Sequence, residues 1–180
     1  MNVVDTEIAD VKIITPQAFE DDRGYFKETY RSSWLEQLGC THDFVQDNIS
    51  RSYQNTIRGL HYQKEKAQAK LVQCIYGEIL DVAVDLRTSS PTFGHYFSTI
   101  LSEKNHKQLY IPEGFAHGFQ TLEDDVIVNY CHSSRYSKPH ERGVNVFDKR
   151  LNINWPIDNF SISERDNSLP NFDISCRVKI

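Results

Sequence analysis

Apolar residues in this chain recur at every second position or in short unbroken runs, which predicts strands and few helices. Residues 8–14 alternate loosely and predict a first strand. Asp21-Asp22-Arg23-Gly24 reads as a turn, and residues 25–30 as the strand that follows it. Further strands are predicted over residues 44–50, 56–63, 70–76, 78–86, 96–101, 108–111, 118–122 and 126–131. In the run 78–86, Ile79 to Asp85 is nearly continuous apolar sequence, as expected of a central strand. One short helix stands out. Ser33 and Glu36 fit a capping box, Trp34, Leu35 and Leu38 supply the apolar side, and Gly39 is the stop.

About nine or ten closely spaced strands predict an all-β sandwich or barrel with a few short peripheral helices. No strand–helix alternation points to a doubly wound sheet or a (β/α)₈ barrel. The chain reads as a single domain, 1–180, without internal repeats. Its tail from Asn152, with Trp155-Pro156 and Leu169-Pro170, is expected to lie over the barrel as turns and a short helix.

The 180 residues are 39% hydrophobic and 25% charged, which fits a globular domain with its own core. Net charge is −5 and no Lys/Arg block occurs, so nucleic acid is excluded as a partner and any anion must meet a local pocket. No apolar run approaches the roughly 18–20 residues that span a bilayer. Met1 to Asp5 does not resemble the start of a secretory signal. Cys40, Cys74, Cys131 and Cys176 show no CxxC spacing, and Cys74 and Cys131 are expected to be buried thiols. A reduced, cytoplasmic protein is the simplest expectation.

Candidate chemistry concentrates between Thr56 and Cys74, where Arg58, His61 and Lys70 stand among strand-forming residues. Period two places Gln63 on the face of His61 and Arg58 on the opposite face. A bulge at Gly59 would bring Arg58 and His61 to one pocket. Lys70 shares its parity with Val72 and Cys74, so it points to a buried face and needs a counter-charge or an anionic ligand. Tyr130 shares its parity with Val126 and Val128. Asp166 lies in Ser163-Glu164-Arg165-Asp166, and His117 lies between glycines and aromatics. Each of these has an ordinary structural role when taken alone, and the residues by themselves leave both readings open. The other histidines, His42, His95, His106, His132 and His140, fall in loops or polar stretches, so no metal site is expected. No phosphate-cradling glycine loop and no GxSxG elbow are present.

Residues 11–169 resemble the dTDP-4-dehydrorhamnose 3,5-epimerases. The resemblance is carried by Asp22-Arg23-Gly24-Tyr25-Phe26-Lys27-Glu28, Gln46-Asp47-Asn48-Ile49-Ser50, Arg58-Gly59-Leu60-His61-Tyr62-Gln63 and Lys70-Leu71-Val72. It continues through Gly77-Glu78-Ile79, Asp85-Leu86-Arg87, Ser90-Pro91-Thr92-Phe93-Gly94 and Ile111-Pro112-Glu113-Gly114-Phe115-Ala116-His117-Gly118-Phe119. It implies a cupin-type jelly-roll barrel that works as a homodimer without metal or organic cofactor. The implied substrate is dTDP-4-dehydro-6-deoxy-D-glucose and the product dTDP-4-dehydro-L-rhamnose, destined for surface polysaccharide. His61 is implied as base, Asp166 as its orienter, Lys70 as stabiliser of the enolate oxygen and Tyr130 as acid. Arg23 and Arg58 are implied at the pyrophosphate, and Glu28, Gln46 and Asn48 at the nucleotide. Phe26 and Tyr136 are implied to stack on thymine, His117 to line the sugar pocket, and Glu141 and Arg165 to bind substrate. An enzyme that inverts only C3 or only C5 of a related sugar nucleotide, and a non-catalytic sugar-nucleotide binder, remain alternatives.

Overall fold

Alternating strands bury one face each, and here they do so against each other in two facing sheets. The computed structural model describes residues 1–180. In chain order the strands are β1 (Asn2–Asp5), β2 (Lys12–Thr15), β3 (Ala18–Asp21), β4 (Gly24–Lys27), β5 (Gln46–Tyr53), β6 (Thr56–Gln63) and β7 (Lys70–Tyr76). They continue as β8 (Glu78–Asp85), β9 (Tyr96–Ser102), β10 (Gln108–Ile111), β11 (Phe115–Thr121), β12 (Asp125–His132), β13 (Glu141–Gly143) and β14 (Ser161–Ile162). One sheet runs β1-β2-β10-β7-β12-β5, and the facing sheet runs β13-β6-β11-β8-β9 with β14 added beside β6. Pairing is antiparallel except for β14 on β6. The fold is an all-β jelly-roll barrel with short helices at its edges.

The barrel interior holds Val72, Cys74, Val126 and Val128 from the first sheet and Ile79, Ala83, Phe115 and Phe119 from the second. A second apolar cluster covers the outer face of the second sheet. There Leu60, Tyr62, Val82, Val84 and Ala116 meet Val144, Val146 and Leu151, which follow β13, and Cys176 and Val178 of the tail. The chain after β13 therefore supplies five of the 12 buried residues of this layer, and the tail carries α2 (Glu164–Asn167) as its one α-helical turn. β8 is buried on both faces, as its unbroken apolar run predicts.

The short helix is smaller than its sequence signals. A 3₁₀ turn over Ser32–Trp34 leads into α1 (Leu35–Leu38), and no side chain caps either start. The apolar side and the stop are as expected: Trp34, Leu35 and Leu38 are buried, and Gly39 takes φ +69. The first predicted strand is displaced to β2, because residues 6–11 form a turn in which Asp10 takes a positive φ. All four cysteines are free thiols, and Cys131 is only half-buried because its parity points it out of the barrel toward Asp47. No helix is long and apolar enough to cross a membrane.

Candidate active site

The site is built around an irregularity in β6. Its register on β11 sets His61 opposite His117 and Arg58 opposite Phe119, so Gly59 and Leu60 on one strand answer the single Gly118 on the other. Gly59 takes up the difference at φ +116. No side chain fits there, because a Cβ would stand 2.6 Å from the Gly118 Cα and 2.8 Å from the His117 carbonyl oxygen. Parity reverses across the bulge. Arg58 and His61 therefore both open into the barrel, while Leu60 and Tyr62 point into the outer cluster. This is the arrangement that the spacing of Arg58 and His61 requires.

Asp166 reaches His61 from far along the chain. β14 lies parallel to β6, pairing Ser161 with Thr56, and Ser163 then caps α2 by accepting the Asp166 N–H at 3.0 Å. One Asp166 oxygen is 2.8 Å from His61 Nε2, and the other accepts the Gly59 N–H at 3.1 Å. An ionised carboxylate only accepts, so Nε2 carries the hydrogen, and in the neutral tautomer the lone pair is on Nδ1. Burial by itself raises the Asp166 carboxyl. The hydrogen bonds from His61 and Gly59, with Arg165 nearby, outweigh that and hold it below the usual carboxylate range.

Lys70 faces inward from β7 on the opposite sheet and is 7% exposed. Its ammonium lies 3.5 Å from the His61 carbonyl oxygen. Burial lowers its pKa to about 8, against the pull of the Asp81 and Glu141 carboxylates. Tyr130 stands beside it on β12, where Tyr130 pairs with Val72 and His132 with Lys70. The imidazole of His61 thus comes from one sheet, and the phenol and ammonium from the other.

Two adjoining hollows of about 190 and 210 Å³ share His61, Lys70 and Tyr130. The first is also lined by Gln46, Asn48, Tyr136 and Glu141, and the second by Arg58, His117, Arg165 and Asp166. Tyr136 Oη donates to Glu141 at 2.8 Å, and Arg165 pairs with the other Glu141 oxygen at 2.6 Å. Those bonds hold the Glu141 carboxyl below its ordinary range even though burial opposes them. Arg58 is braced by Ser52 Oγ at 2.8 Å. A larger hollow of about 870 Å³ lies elsewhere, beside Asp10 and Arg87, but Arg87 is already paired with Asp10 and Asp85.

Three expected residues do not line either hollow. Arg23, Phe26 and Glu28 belong to the β3–β4 hairpin and the segment after it, Phe26 is 71% exposed, and Arg23 and Glu28 pair locally with Asp21 and Arg31. Conversely, the hollows contain residues that the sequence reading passed over. His132 is not in a polar stretch but ends β12, buried, with its ring 5.3 Å from that of Tyr130. Burial, with Lys70 and His117 close by, pushes its pKa down to about 3, so it is neutral. His117, expected at the sugar pocket, does line the second hollow, and its Nε2 lies 2.7 Å from an oxygen of Asp81, a wholly buried carboxylate. Burial lowers the His117 pKa although Asp81 opposes the shift. The signal for Asp81 was present: a carboxylate in an apolar run has to find a partner. No three His, Cys, Asp or Glu side chains converge as a metal site would need.

Such a barrel, whose cavity is lined by a carboxylate-held imidazole, a phenol and an ammonium, is that of an isomerase of the cupin type. The chain belongs to the dTDP-4-dehydrorhamnose 3,5-epimerase family, whose pattern it matches over residues 5–173. It is 50% identical over 168 residues to the dTDP-4-dehydrorhamnose 3,5-epimerase of Shigella flexneri, covering 92% of this chain and 93% of that one. The crystal structure of dTDP-6-deoxy-D-glucose-3,5-epimerase from Legionella pneumophila, in complex with dTDP-4-keto-L-rhamnose, superposes with a TM-score of 0.95. That protein is 39% identical, and the match covers 99% of this chain and 98% of it. The Bacillus anthracis dTDP-4-dehydrorhamnose 3,5-epimerase, with TDP and PPi bound, is 50% identical at a TM-score of 0.91, over 95% of this chain and 99% of that one.

Proposed function

We propose that this chain performs the epimerisation of its family through His61, Tyr130, Lys70 and Asp166. The reaction converts dTDP-4-dehydro-6-deoxy-D-glucose to dTDP-4-dehydro-L-rhamnose by inverting C3 and C5. The C4 ketone acidifies the hydrogens on both carbons. His61 Nδ1 takes one of them, and the negative charge moves to the C4 oxygen. The Lys70 ammonium stabilises that enolate in a site where low dielectric strengthens the attraction. Tyr130 then protonates the carbon from the other face, which inverts it, and before the second carbon reacts His61 releases its proton to solvent and the Tyr130 phenolate takes one up. Asp166 holds the ring tautomer and stabilises the imidazolium. The observation that carries this reading is the 2.8 Å His61–Asp166 contact, made in the cavity that Lys70 and Tyr130 also line.

Arg58 and Arg165 then meet the pyrophosphate, where guanidinium forks suit phosphate oxygens. Gln46, Asn48, Tyr136 and Glu141 receive the nucleotide, and His117 lines the sugar end. The protein acts in the cytoplasm as a single-domain subunit of a homodimer, with the β3–β4 hairpin crossing to a second copy. Support for the crossing comes from the exposed Phe19, Tyr25 and Phe26 on that hairpin, together with Arg23 and Glu28 beside them. Mixed dimers of Arg23→Ala and His61→Ala chains are expected to regain activity, because one composite site is intact.

Proton NMR of the dTDP-4-keto sugar in heavy water tests the reaction. Deuterium is expected at both C3 and C5. Incorporation at one carbon alone assigns the chain to the mono-epimerases, and none at either carbon overturns the reading.

A further inference from the structure

The segment Ser133–Ser137 follows β12 and carries Tyr136 to the mouth of the cavity. It has no ladder of its own, yet each of its residues is held. Ser133 exchanges bonds with Ala69, its N–H donating to Ala69 O at 3.0 Å and its Oγ accepting the Ala69 N–H at 2.9 Å. The next four residues are met by glutamine side chains. Gln68 Nε2 donates to the Ser134 carbonyl at 2.6 Å. Gln63 Nε2 lies 3.5 Å from the Arg135 carbonyl, and Gln63 Oε1 accepts the Ser137 N–H at 2.6 Å. Gln46 Oε1 accepts the Tyr136 N–H at 2.7 Å.

The three glutamines come from separate places: β5, the end of β6 and the link between β6 and β7. A side-chain amide offers donors and an acceptor on separate atoms without charge. Gln63 uses both, since its Nε2 also donates to the Lys66 carbonyl at 2.7 Å and so ties the link to the loop. Gln63 and Ser133 are buried beneath the loop, whereas Tyr136, the residue they support, is 51% exposed. What the clamp does fix is the ring, which is also tethered through its hydroxyl to Glu141 at 2.8 Å.

We infer that Gln63 and Gln68, with Gln46, are positioning residues that pre-order the Tyr136 loop as a platform for the nucleotide base. This rests on the reading of Tyr136 as nucleotide-facing. An exposed aromatic on an unbraced loop would lose conformational freedom on binding, and bracing it beforehand removes that cost. The benefit falls on binding and not on the proton transfers, which occur at His61 and Tyr130.

The test uses Gln63→Met and Gln68→Met, with dTDP as the calorimetric probe, amide hydrogen exchange over residues 134–137, and kinetics on the dTDP-4-keto sugar. Gln68→Met is expected to weaken dTDP and raise KM by about fivefold to tenfold, the range for one lost hydrogen bond, and Gln63→Met, which loses more than one, by at least as much. Turnover at saturation should stay within about twofold, because the reacting groups are untouched. Amides of Tyr136 and Ser137 should exchange faster. Gln68 is only partly buried, so Gln68→Met remains informative if Gln63→Met fails to fold. In a Tyr136→Ala background the KM effect of Gln68→Met should vanish, since no ring is left to position.

Faster exchange with unchanged dTDP affinity overturns the inference, as does an undiminished effect in the Tyr136→Ala background. Unchanged exchange shows that there is no clamp. Failure of the unsubstituted chain to bind dTDP instead overturns the functional reading, and the role of the ring falls with it.

Discussion

Asp166 Oδ1 lies 2.8 Å from His61 Nε2 although 105 positions separate the two residues. Its second oxygen accepts the N–H of Gly59, the residue whose bulge turns His61 inward. One carboxylate therefore both orients the ring and secures the backbone that aims it. Asp166→Asn keeps the shape but loses the charge that stabilises the imidazolium. Turnover is expected to fall by about a hundredfold or more, with little change in KM. Rates of C3 and C5 deuterium incorporation measure it directly, and unchanged rates would remove Asp166 from the mechanism.

Gly59→Ala tests the bulge. The added methyl would meet the Gly118 Cα at 2.6 Å, at a φ of +116 that side chains rarely adopt. Both strands are central to their sheet, so neither yields easily. A loss of about 2–4 kcal/mol in unfolding free energy is expected, with activity lost beyond what the melting accounts for. Denaturant melts beside activity at a temperature where the variant is folded separate the two effects.

Lys70 gives a prediction with opposite signs for stability and activity. Its folded pKa of about 8 lies below the ordinary 10.5. The folded state therefore bears a cost for the buried ammonium below pH 8, and that cost fades as pH rises toward 10.5. Lys70→Met should stabilise the protein at pH 7 by up to about 3 kcal/mol, with the gain shrinking above pH 8. The same change should cut turnover by about a hundredfold or more through loss of the enolate's counter-charge. In the unsubstituted chain, kcat/KM should decline above about pH 8 as the ammonium deprotonates. Thermal melts and rate profiles over pH 6–10 check both signs.

Much of this site is legible from period two alone. Lys70 and Tyr130 face inward because Val72, Cys74, Val126 and Val128 do, and Gly59 is where Arg58 and His61 can be brought to one side. What escapes pattern reading is contact between distant segments. Asp166 is placed by a strand of two residues on β6, which is too short to show any periodicity. β13 has three residues and carries Glu141 by pairing with Gln63, again without a pattern of its own. His132 ends a strand that runs one residue beyond its apolar stretch, so pattern alone leaves it outside the barrel. The capping box at Ser33 failed because the chain enters α1 through a 3₁₀ turn. The hairpin with Arg23, Phe26 and Glu28 has no role that one chain can explain, since its aromatic side chains meet solvent.

The central claim is that His61 removes the proton and Tyr130 returns one from the opposite face. Deuterium incorporation by His61→Ala and by Tyr130→Phe, followed by proton NMR beside the configuration of the recovered sugar, tests it most directly. His61→Ala should abolish exchange at both C3 and C5. Tyr130→Phe should retain exchange while losing inversion, because proton removal survives and delivery to the other face does not. A fully active His61→Ala, or a Tyr130→Phe that inverts both carbons at the original rate, would contradict the account.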